Sequence, residues 1–287
     1  MTISVVIPTY NEEKGITKCV ESIFQNTELP CEVIVVDGYS DDKTKELAKA
    51  AGATVYDNPN RTAASGRNIG IQHAKGDIIA FTDGDNYVDS EWISSIKKAF
   101  EENNEIDVIG GKVVAAPFET NVERFWSELW LKNIMRFEDE EFFVEAKSLN
   151  HSFITANCAY KKELLNELNG FNEWFGNNAE DVDLMWRAID FKAKLKYIPT
   201  AIVYAHSPTK LRAMWKKSYR DGVSSTKLQK TYGPPKGSFD GKLHKMFWKN
   251  LGRMLLFRKD SFLFTSELFY HIWGKWISSI KLGYRNL

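Results

Sequence analysis

Four consecutive apolar residues, Ile78, Ile79, Ala80 and Phe81, run directly into Thr82-Asp83-Gly84-Asp85. An unbroken apolar run of this length, closed by polar turn residues, is what a strand buried on both faces shows, and such strands belong to parallel sheets flanked by helices. The end of the strand then delivers two carboxylates to a rim. Hard oxygen donors on either side of a glycine, where backbone can come close to a ligand, suit Mg²⁺ or Mn²⁺ shared with a phosphate group. Taken alone, the segment reads more simply as a polar turn, because Asp-Gly and Asp-Asn are common turn formers.

The chain before it repeats the pattern. Val5 to Ile7 is an apolar strand ending at Pro8, and Thr9-Tyr10-Asn11-Glu12-Glu13 supplies helix-start residues before Ile16, Val20, Ile23 and Phe24 at helical spacing. Cys31 to Val36 is a second strand, closed by Asp37-Gly38-Tyr39-Ser40-Asp41-Asp42. A helix over Thr44 to Ala51 and a short strand over Thr54 to Tyr56 follow. Asp57 to Arg61 breaks the chain, and Ser65-Gly66-Arg67-Asn68 opens another helix. Right-handed crossovers between parallel strands bring the loops at their carboxyl ends to one crevice. Glu12, Asp37 and the Asp83/Asp85 pair are therefore expected on one edge. Arg61 and Arg67 flank a helix start, a natural place to meet a diphosphate, although either is also read as a solvated charge. No Gly-x-Gly-x-x-Gly follows the first strand, which disfavours a dinucleotide fold.

The 287 residues have the length for one large α/β domain and an appendage. Met1 leads directly into a strand, so no secretory leader is expected. Cys19, Cys31 and Cys158 are too few and too scattered for a disulfide framework and fit a reducing cytosol. The zero net charge hides a division: residues 1–208 hold 21 Lys and Arg against 34 Asp and Glu, and residues 209–287 hold 17 against 4. An acidic body with a basic tail points to anionic partners for the tail, or to a tail lying on the body.

Four blocks in order, Ser4 to Glu12, Val35 to Asp42, Gly66 to Gly70 and Phe81 to Asp85, resemble the family 2 glycosyltransferases of the GT-A fold, over about Ile3 to Gly222. The resemblance implies an α/β fold with a mostly parallel central sheet flanked by helices, here with a C-terminal amphipathic helical extension. By that resemblance Pro8, Thr9, Tyr10, Glu12 and Asp37 surround the base and ribose of a nucleotide-diphosphate sugar, with Arg61, Arg67 and Gly84 beside the donor. Asp83 and Asp85 would hold the donor and a divalent metal, Mg²⁺ or Mn²⁺.

The acceptor and the base are expected further on. Ile106 to Ala115 reads as a strand, Glu119 to Phe137 as a helix with a core-facing aromatic side that includes Phe125, Trp126, Trp130 and Ile134, and Asp139 to Glu141 as a solvated acidic turn. Asn157 matches a family position near the acceptor, although a polar side chain in an apolar strand also serves structure. Glu180-Asp181 stands at the start of an apolar helix, where acidic residues are favoured in any case. The resemblance assigns these two to catalysis, with Asp181 as the base, and Trp186 on the same helix to the acceptor. Lys196 to Tyr204 is a last strand, and His206 after it is read as a third metal ligand by resemblance, against a plain loop residue.

Leu211 to Val223 resembles the family's post-catalytic helix but has no Gln-x-x-Arg-Trp motif, which argues for single additions rather than processive synthesis. Leu243 to Leu255 reads as a basic amphipathic helix, and Ser261 to Ile280 as an aromatic interfacial segment interrupted by Glu267, His271 and Lys275. The expected organisation is a catalytic domain over 1–222, with a donor half to about 115 and an acceptor half from 116, and a membrane-associating tail over 223–287. The expected function is an inverting, metal-dependent, non-processive hexosyltransferase, peripheral on the cytosolic face of the cell membrane. It would take a nucleotide-sugar donor, UDP favoured over GDP, and a lipid-linked or glycan acceptor. No motif supports nucleic acid. The competing readings are a nucleotidyltransferase, which lacks its Gly-rich loop here, and a catalytically silent sugar-nucleotide-binding subunit.

Overall fold

The computed structural model describes residues 1–129, 139–149, 152–233, 247–251 and 260–284. The chain forms two compact units, Met1–Ala116 with Leu131–His206, and Pro117–Trp130 with Ser207–Leu287. The boundary expected at Gly222 falls within the second unit, whose two stretches begin at Pro117 and Ser207.

The first unit is an α/β sheet flanked by helices. Its strands are β1 (Ile3–Thr9), β2 (Glu32–Asp37), β3 (Thr54–Asp57), β4 (Ile78–Phe81), β5 (Tyr87–Val88), β6 (Ile106–Ala115), β7 (Phe142–Val144), β8 (Cys158–Lys161) and β9 (Lys194–Ala205). The order is β3-β2-β1-β4-β8-β6-β9-β5, with β7 on β9. The apolar runs of β1, β2 and β4 are buried, and these strands pair in parallel with β1 in the centre. Beyond β4 the sheet is mixed: β8 runs antiparallel to β4 and β6, and β5 and β7 run antiparallel to β9. β6 and β9 pair in parallel along most of their length, so the mostly parallel central sheet that was expected is kept, with β8 running antiparallel between β4 and β6.

Helices α1 (Ile16–Phe24), α2 (Thr44–Ala50), α3 (Ala63–His73), α4 (Trp92–Glu102), α6 (Lys162–Glu167) and α7 (Glu180–Asp190) belong to this unit. Ile16, Cys19, Val20 and Ile23 of α1 and Trp92, Ile93, Ile96 and Phe100 of α4 join the strands in one core. Asp139, Glu140 and Glu141 are exposed, as a solvated acidic turn should be, and two of them make surface ion pairs. Asp139 pairs with Lys112, and Glu141 with Lys196 at 2.6 Å.

The second unit holds α5 (Asn121–Trp126), α8 (Leu211–Tyr232) and α9 (Ser261–Leu282). Thr120 starts α5 with a capping box to Glu123, which satisfies two otherwise unpaired amide donors. Phe125 and Trp126 pack with Met214, as a core reading of those aromatics requires. The rest of the expected helix, including Trp130 and Ile134, lies outside the described residues. So does most of the expected basic helix over Leu243 to Leu255, of which 247–251 is helical. Helices α8 and α9 run parallel in very close contact. A Cβ on Gly222 would stand 2.0 Å from the His271 carbonyl oxygen, and one on Gly274 2.1 Å from that of Tyr219. No helix among the described residues is long and apolar enough to cross a membrane.

Candidate active site

The carboxyl ends of β1, β2 and β4 build one rim, and short hydrogen bonds lace their loops together. Gly38 N–H donates to the Thr9 carbonyl at 2.9 Å, Asn11 N–H to Ser40 Oγ at 2.8 Å, and Glu12 N–H to Thr44 Oγ1 at 2.8 Å. The β4 loop lies directly on the β1 loop. A Cβ on Gly84 would meet Thr9 Cγ2 at 2.7 Å, and one on Gly15 would meet the Asp85 Cα at 2.9 Å. This contact explains both glycines without any appeal to flexibility.

Glu12, Asp83 and Asp85 thereby come to share one electrostatic environment. Glu12, expected at base and ribose, has its carboxyl pushed up to about 8, by burial first and then by Asp85, Asp83 and Asp42. The shift makes a testable statement about linkage. A carboxyl raised from its ordinary 4.5 leaves the native state holding more protons than the unfolded chain between those two values, so stability falls as pH rises through that window. Glu12→Gln is expected to flatten this fall, giving a higher melting temperature than wild type near about pH 8 and little difference near about pH 4. Equal pH profiles for the two proteins in thermal melts would refute the assignment.

Asp37 is fully buried, and its two oxygens accept from Ser40, at 2.9 Å from the amide and 2.5 Å from the hydroxyl. Pro8 lies within β1, Thr9 is buried beside it, and the Tyr10 ring is exposed. Arg61 is exposed, its guanidinium carbon 5.7 Å from the Tyr39 ring centre. Asn11, Tyr39 and Arg61 all adopt left-handed backbone, with φ of 57°, 58° and 55°. Non-glycine residues held there store strain that tends to gather at ligand sites. The sequence reading did not single out Tyr39 or Ser40; their place in the Asp-Gly-Tyr-Ser block was the available signal.

Arg67 is not the solvated charge that was its alternative reading: it is 3% exposed on α3, donating from Nη1 to Glu180 Oε1 at 2.6 Å and from Nη2 to Asp83 Oδ1 at 2.9 Å. Burial opposes its charge, yet Asp83, Glu180 and Asp181 outweigh burial and hold its pKa above the usual value. One side chain thus ties the β4 carboxylate loop to the first turn of α7. That turn follows Ala179, itself left-handed at φ 68°. Burial raises the carboxyls of both Glu180 and Asp181 above the ordinary range, against the pull of Arg67. Asp181 also accepts from the Val182 amide at 2.8 Å. Several buried polar atoms around this region have no hydrogen-bond partner within the protein: Thr9 Oγ1, Arg67 Nε, Thr82 Oγ1, Asn86 Nδ2 and Glu180 Oε2. Buried polar groups are normally satisfied, so these are candidates to meet a polar ligand.

A divalent metal fits this donor set with a condition. The carboxylates are hard oxygen donors, but among the described residues no three His, Cys, Asp or Glu gather to hold an ion. His206 is exposed after β9, its ring centre 6.0 Å from that of Tyr87, and does not complete such a group. Mg²⁺ and Mn²⁺ sites of one or two carboxylates are completed by substrate phosphate oxygens and water.

Both residues expected at the acceptor are interior. Trp186 is buried on α7. Asn157, 1% exposed, accepts from Trp92 Nε1 at 2.8 Å and donates from Nδ2 to the carbonyls of Lys112 at 2.8 Å and Ala201 at 2.9 Å. The β6–β9 register jumps here, from Gly111 opposite Ile198 to Lys112 opposite Ile202. The Asn157 amide supplies bonds that the broken ladder does not. Asn157→Leu is therefore expected to cost about 2–3 kcal/mol of stability, from buried groups left unpaired, with the acceptor KM of the surviving enzyme unchanged. Chemical denaturation and steady-state kinetics check both halves.

The model of the family described as "Glycosyl transferase family 2" matches residues 4–168. An uncharacterized glycosyltransferase, EpsJ, of Bacillus subtilis is 33% identical over 113 residues, covering 38% of this chain and 33% of that protein. A glucosyl-dolichyl phosphate glucuronosyltransferase of Haloferax volcanii is 27% identical over 188 residues, covering 63% and 59%. These matches span less than two thirds of either relative's own length. Among solved structures, the mannosyltransferase PcManGT of Pyrobaculum calidifontis, in complex with GDP-Man and Mn²⁺, superposes with a TM-score of 0.68 at 17% identity, covering 96% of this chain and 86% of that one. At that identity the likeness concerns the fold.

Proposed function

The chain belongs to glycosyl transferase family 2, and from that premise we propose that it moves a sugar from a nucleotide-diphosphate donor to an acceptor hydroxyl in one inverting displacement. The observation that carries this reading is the Arg67 bridge, which sets the Asp83 end of β4 against the Glu180-Asp181 turn of α7. A donor carboxylate and a candidate base are thus held in one network around the buried Arg67 at the end of the strands, where open α/β sheets bind their ligands.

In this reading residues 1–115 hold the donor. The strained loops carrying Tyr10, Tyr39 and Arg61, with Asp37 fixed by Ser40, frame the nucleoside, and Gly84 lets the carboxylate loop lie against Thr9 so that Asp83 and Asp85 stand beside the donor. Asp83 and Asp85 would hold a divalent metal, which when bound neutralises charge on the departing nucleotide diphosphate. Asp181 takes the proton from the acceptor hydroxyl as that oxygen attacks the anomeric carbon, and its raised pKa suits a base operating near neutrality. Glu180 and Arg67 position it. The absence of Gln-x-x-Arg-Trp supports single additions.

The acceptor class we favour is a lipid-linked glycan or glycolipid. Its support is the Haloferax relative, named for a dolichyl phosphate substrate, together with the basic composition of residues 209–287. In this reading the enzyme works on the cytosolic face of a membrane, held at the surface by its C-terminal residues. A thermal-shift screen of UDP- and GDP-sugars with Mn²⁺ tests the donor site, because a ligand that binds only the native state raises the melting temperature. A metal-dependent rise with one donor, UDP-linked by preference, and its loss in Asp85→Ala are the expected results. No rise with any donor would overturn the donor site.

A further inference from the structure

Helix α9 carries apolar residues on two faces, with Leu263, Phe264 and Leu268 packed inward and a second set turned out. Phe262, Phe269, Trp273, Trp276 and Ile280 are between 43% and 62% exposed, while Glu267 and Lys275 on the same helix are 4% and 8% exposed. Steps of seven, four, three and four residues put the five apolar side chains on a single face, about 27 Å long at 1.5 Å per residue. The opposite face, with Gly274, Lys275 and Ser278, is buried. It is there that α9 meets α8, through Gly274 on Tyr219, Gly222 on His271, and the Thr226 hydroxyl donating to the Lys275 carbonyl at 3.3 Å. A helix of a water-soluble domain ordinarily turns its apolar face inward. Where the two backbones touch, small and polar residues form the contact and aromatics lie outside, the arrangement of helices that pack in an apolar medium.

Charge stands beside this stripe. Tyr219 of α8 packs against Trp273, ring centres 5.5 Å apart. Lys216, Arg212 and Lys230 lie one, two and three turns along α8 from Tyr219 and share its face. Arg212, Lys216 and Lys230 are exposed. Lys230 also donates to the Leu282 carbonyl at 2.9 Å, which keeps it beside α9. An aromatic band with a cationic border fits a bilayer interface carrying anionic headgroups, where Trp and Phe enter the boundary and Lys and Arg meet phosphate. A second copy fits poorly, because a two-fold contact through the stripe would bring two cationic borders together.

We infer that the outward face of α9, bordered by the basic face of α8, is the surface by which this protein lies on an anionic membrane. The inference deepens the membrane-surface reading above and rests on it. It assigns the contact to one face and orients both helices along the bilayer plane.

The test is flotation of the full-length protein with vesicles of phosphatidylglycerol and phosphatidylethanolamine, against vesicles of phosphatidylcholine alone. Wild type is expected to float with the anionic vesicles and to be released by salt. Trp273→Glu with Trp276→Glu is expected to weaken binding by at least about tenfold, and Arg212→Glu with Lys216→Glu to weaken it on anionic vesicles to a comparable degree. Phe191→Glu, an equally exposed aromatic on the first unit, serves as the control and should bind like wild type. Donor-induced thermal shifts on the same variants report folding and the donor site separately from the surface. Unchanged binding of the Trp273/Trp276 variant would overturn this face while leaving the membrane reading intact, and a wild type bound to neither vesicle would overturn both. Conversion of a dimer to a monomer by that variant, with vesicle binding retained, would assign the stripe to a second copy.

Discussion

Asp181→Asn is expected to lower the rate of sugar transfer by about 10²–10⁴-fold, the usual contribution of a positioned general base, while the donor still binds. Asn is nearly isosteric and its amide oxygen can keep the bond from the Val182 N–H, now 2.8 Å long. The fold should not suffer. Burial raises the Asp181 carboxyl above its ordinary value, so the charged form is disfavoured in the native state. Sign follows from that: a carboxyl raised on folding costs stability above its unfolded value, and removing the ionisable group relieves the cost. A melting temperature equal to or above wild type near neutral pH, with an unchanged donor-induced shift and almost no transfer, is the combination expected. The wild-type rate should also fall on the acid side at a higher pH than an ordinary aspartate would impose, because the base is lost when it protonates. A variant that keeps its transfer rate, or that loses donor binding, would remove Asp181 from the role.

Arg67→Met should be the most destabilising single substitution near the site, costing about 3–5 kcal/mol, since it leaves Glu180 and Asp83 without the cation that both now face. Arg67 and Glu180 are each 3% exposed, so water does not substitute. With the guanidinium gone, the pull that lowers the Glu180 carboxyl disappears and its pKa climbs further. The variant should therefore be least impaired at about pH 5, where Glu180 is protonated, and most impaired at about pH 8. Adding Glu180→Gln to Arg67→Met should recover part of the loss at the higher pH, and a double-mutant cycle from denaturant melts isolates that coupling. Additive single effects would show that the bridge contributes nothing. Catalysis should fall in Arg67→Met even where it is folded, because the Asp83 loop and the Asp181 turn lose their common tether.

Much of the first unit was legible because its signals are local. An apolar run too short for a helix, closed by polar residues, identifies β1, β2 and β4, and their buried parallel pairing is what such runs allow. The carboxylates at the strand ends were therefore readable as neighbours on a rim. Helix α4 went unread although Trp92, Ile93, Ile96 and Phe100 carry its period. The short strands β5 and β7 hold too few residues for any period to appear.

What the sequence determined by itself was the α/β class, the presence of acidic loops at the ends of buried strands, and an acidic body followed by a basic stretch. Each follows from residue type and from spacing of a few residues. Tertiary structure decided which groups meet. Arg67 and Glu180 stand 113 residues apart and form a buried ion pair. Asn157, read either as an acceptor contact or as a structural residue, bonds across a break in the β6–β9 ladder that no local pattern announces. The aromatic period of α9 was visible, but whether those rings face inward or outward depends on the opposite face, where two glycines let two helix backbones touch and leave no room for anything larger. Periodicity specifies that a face exists; close packing against a particular neighbour specifies which way it turns.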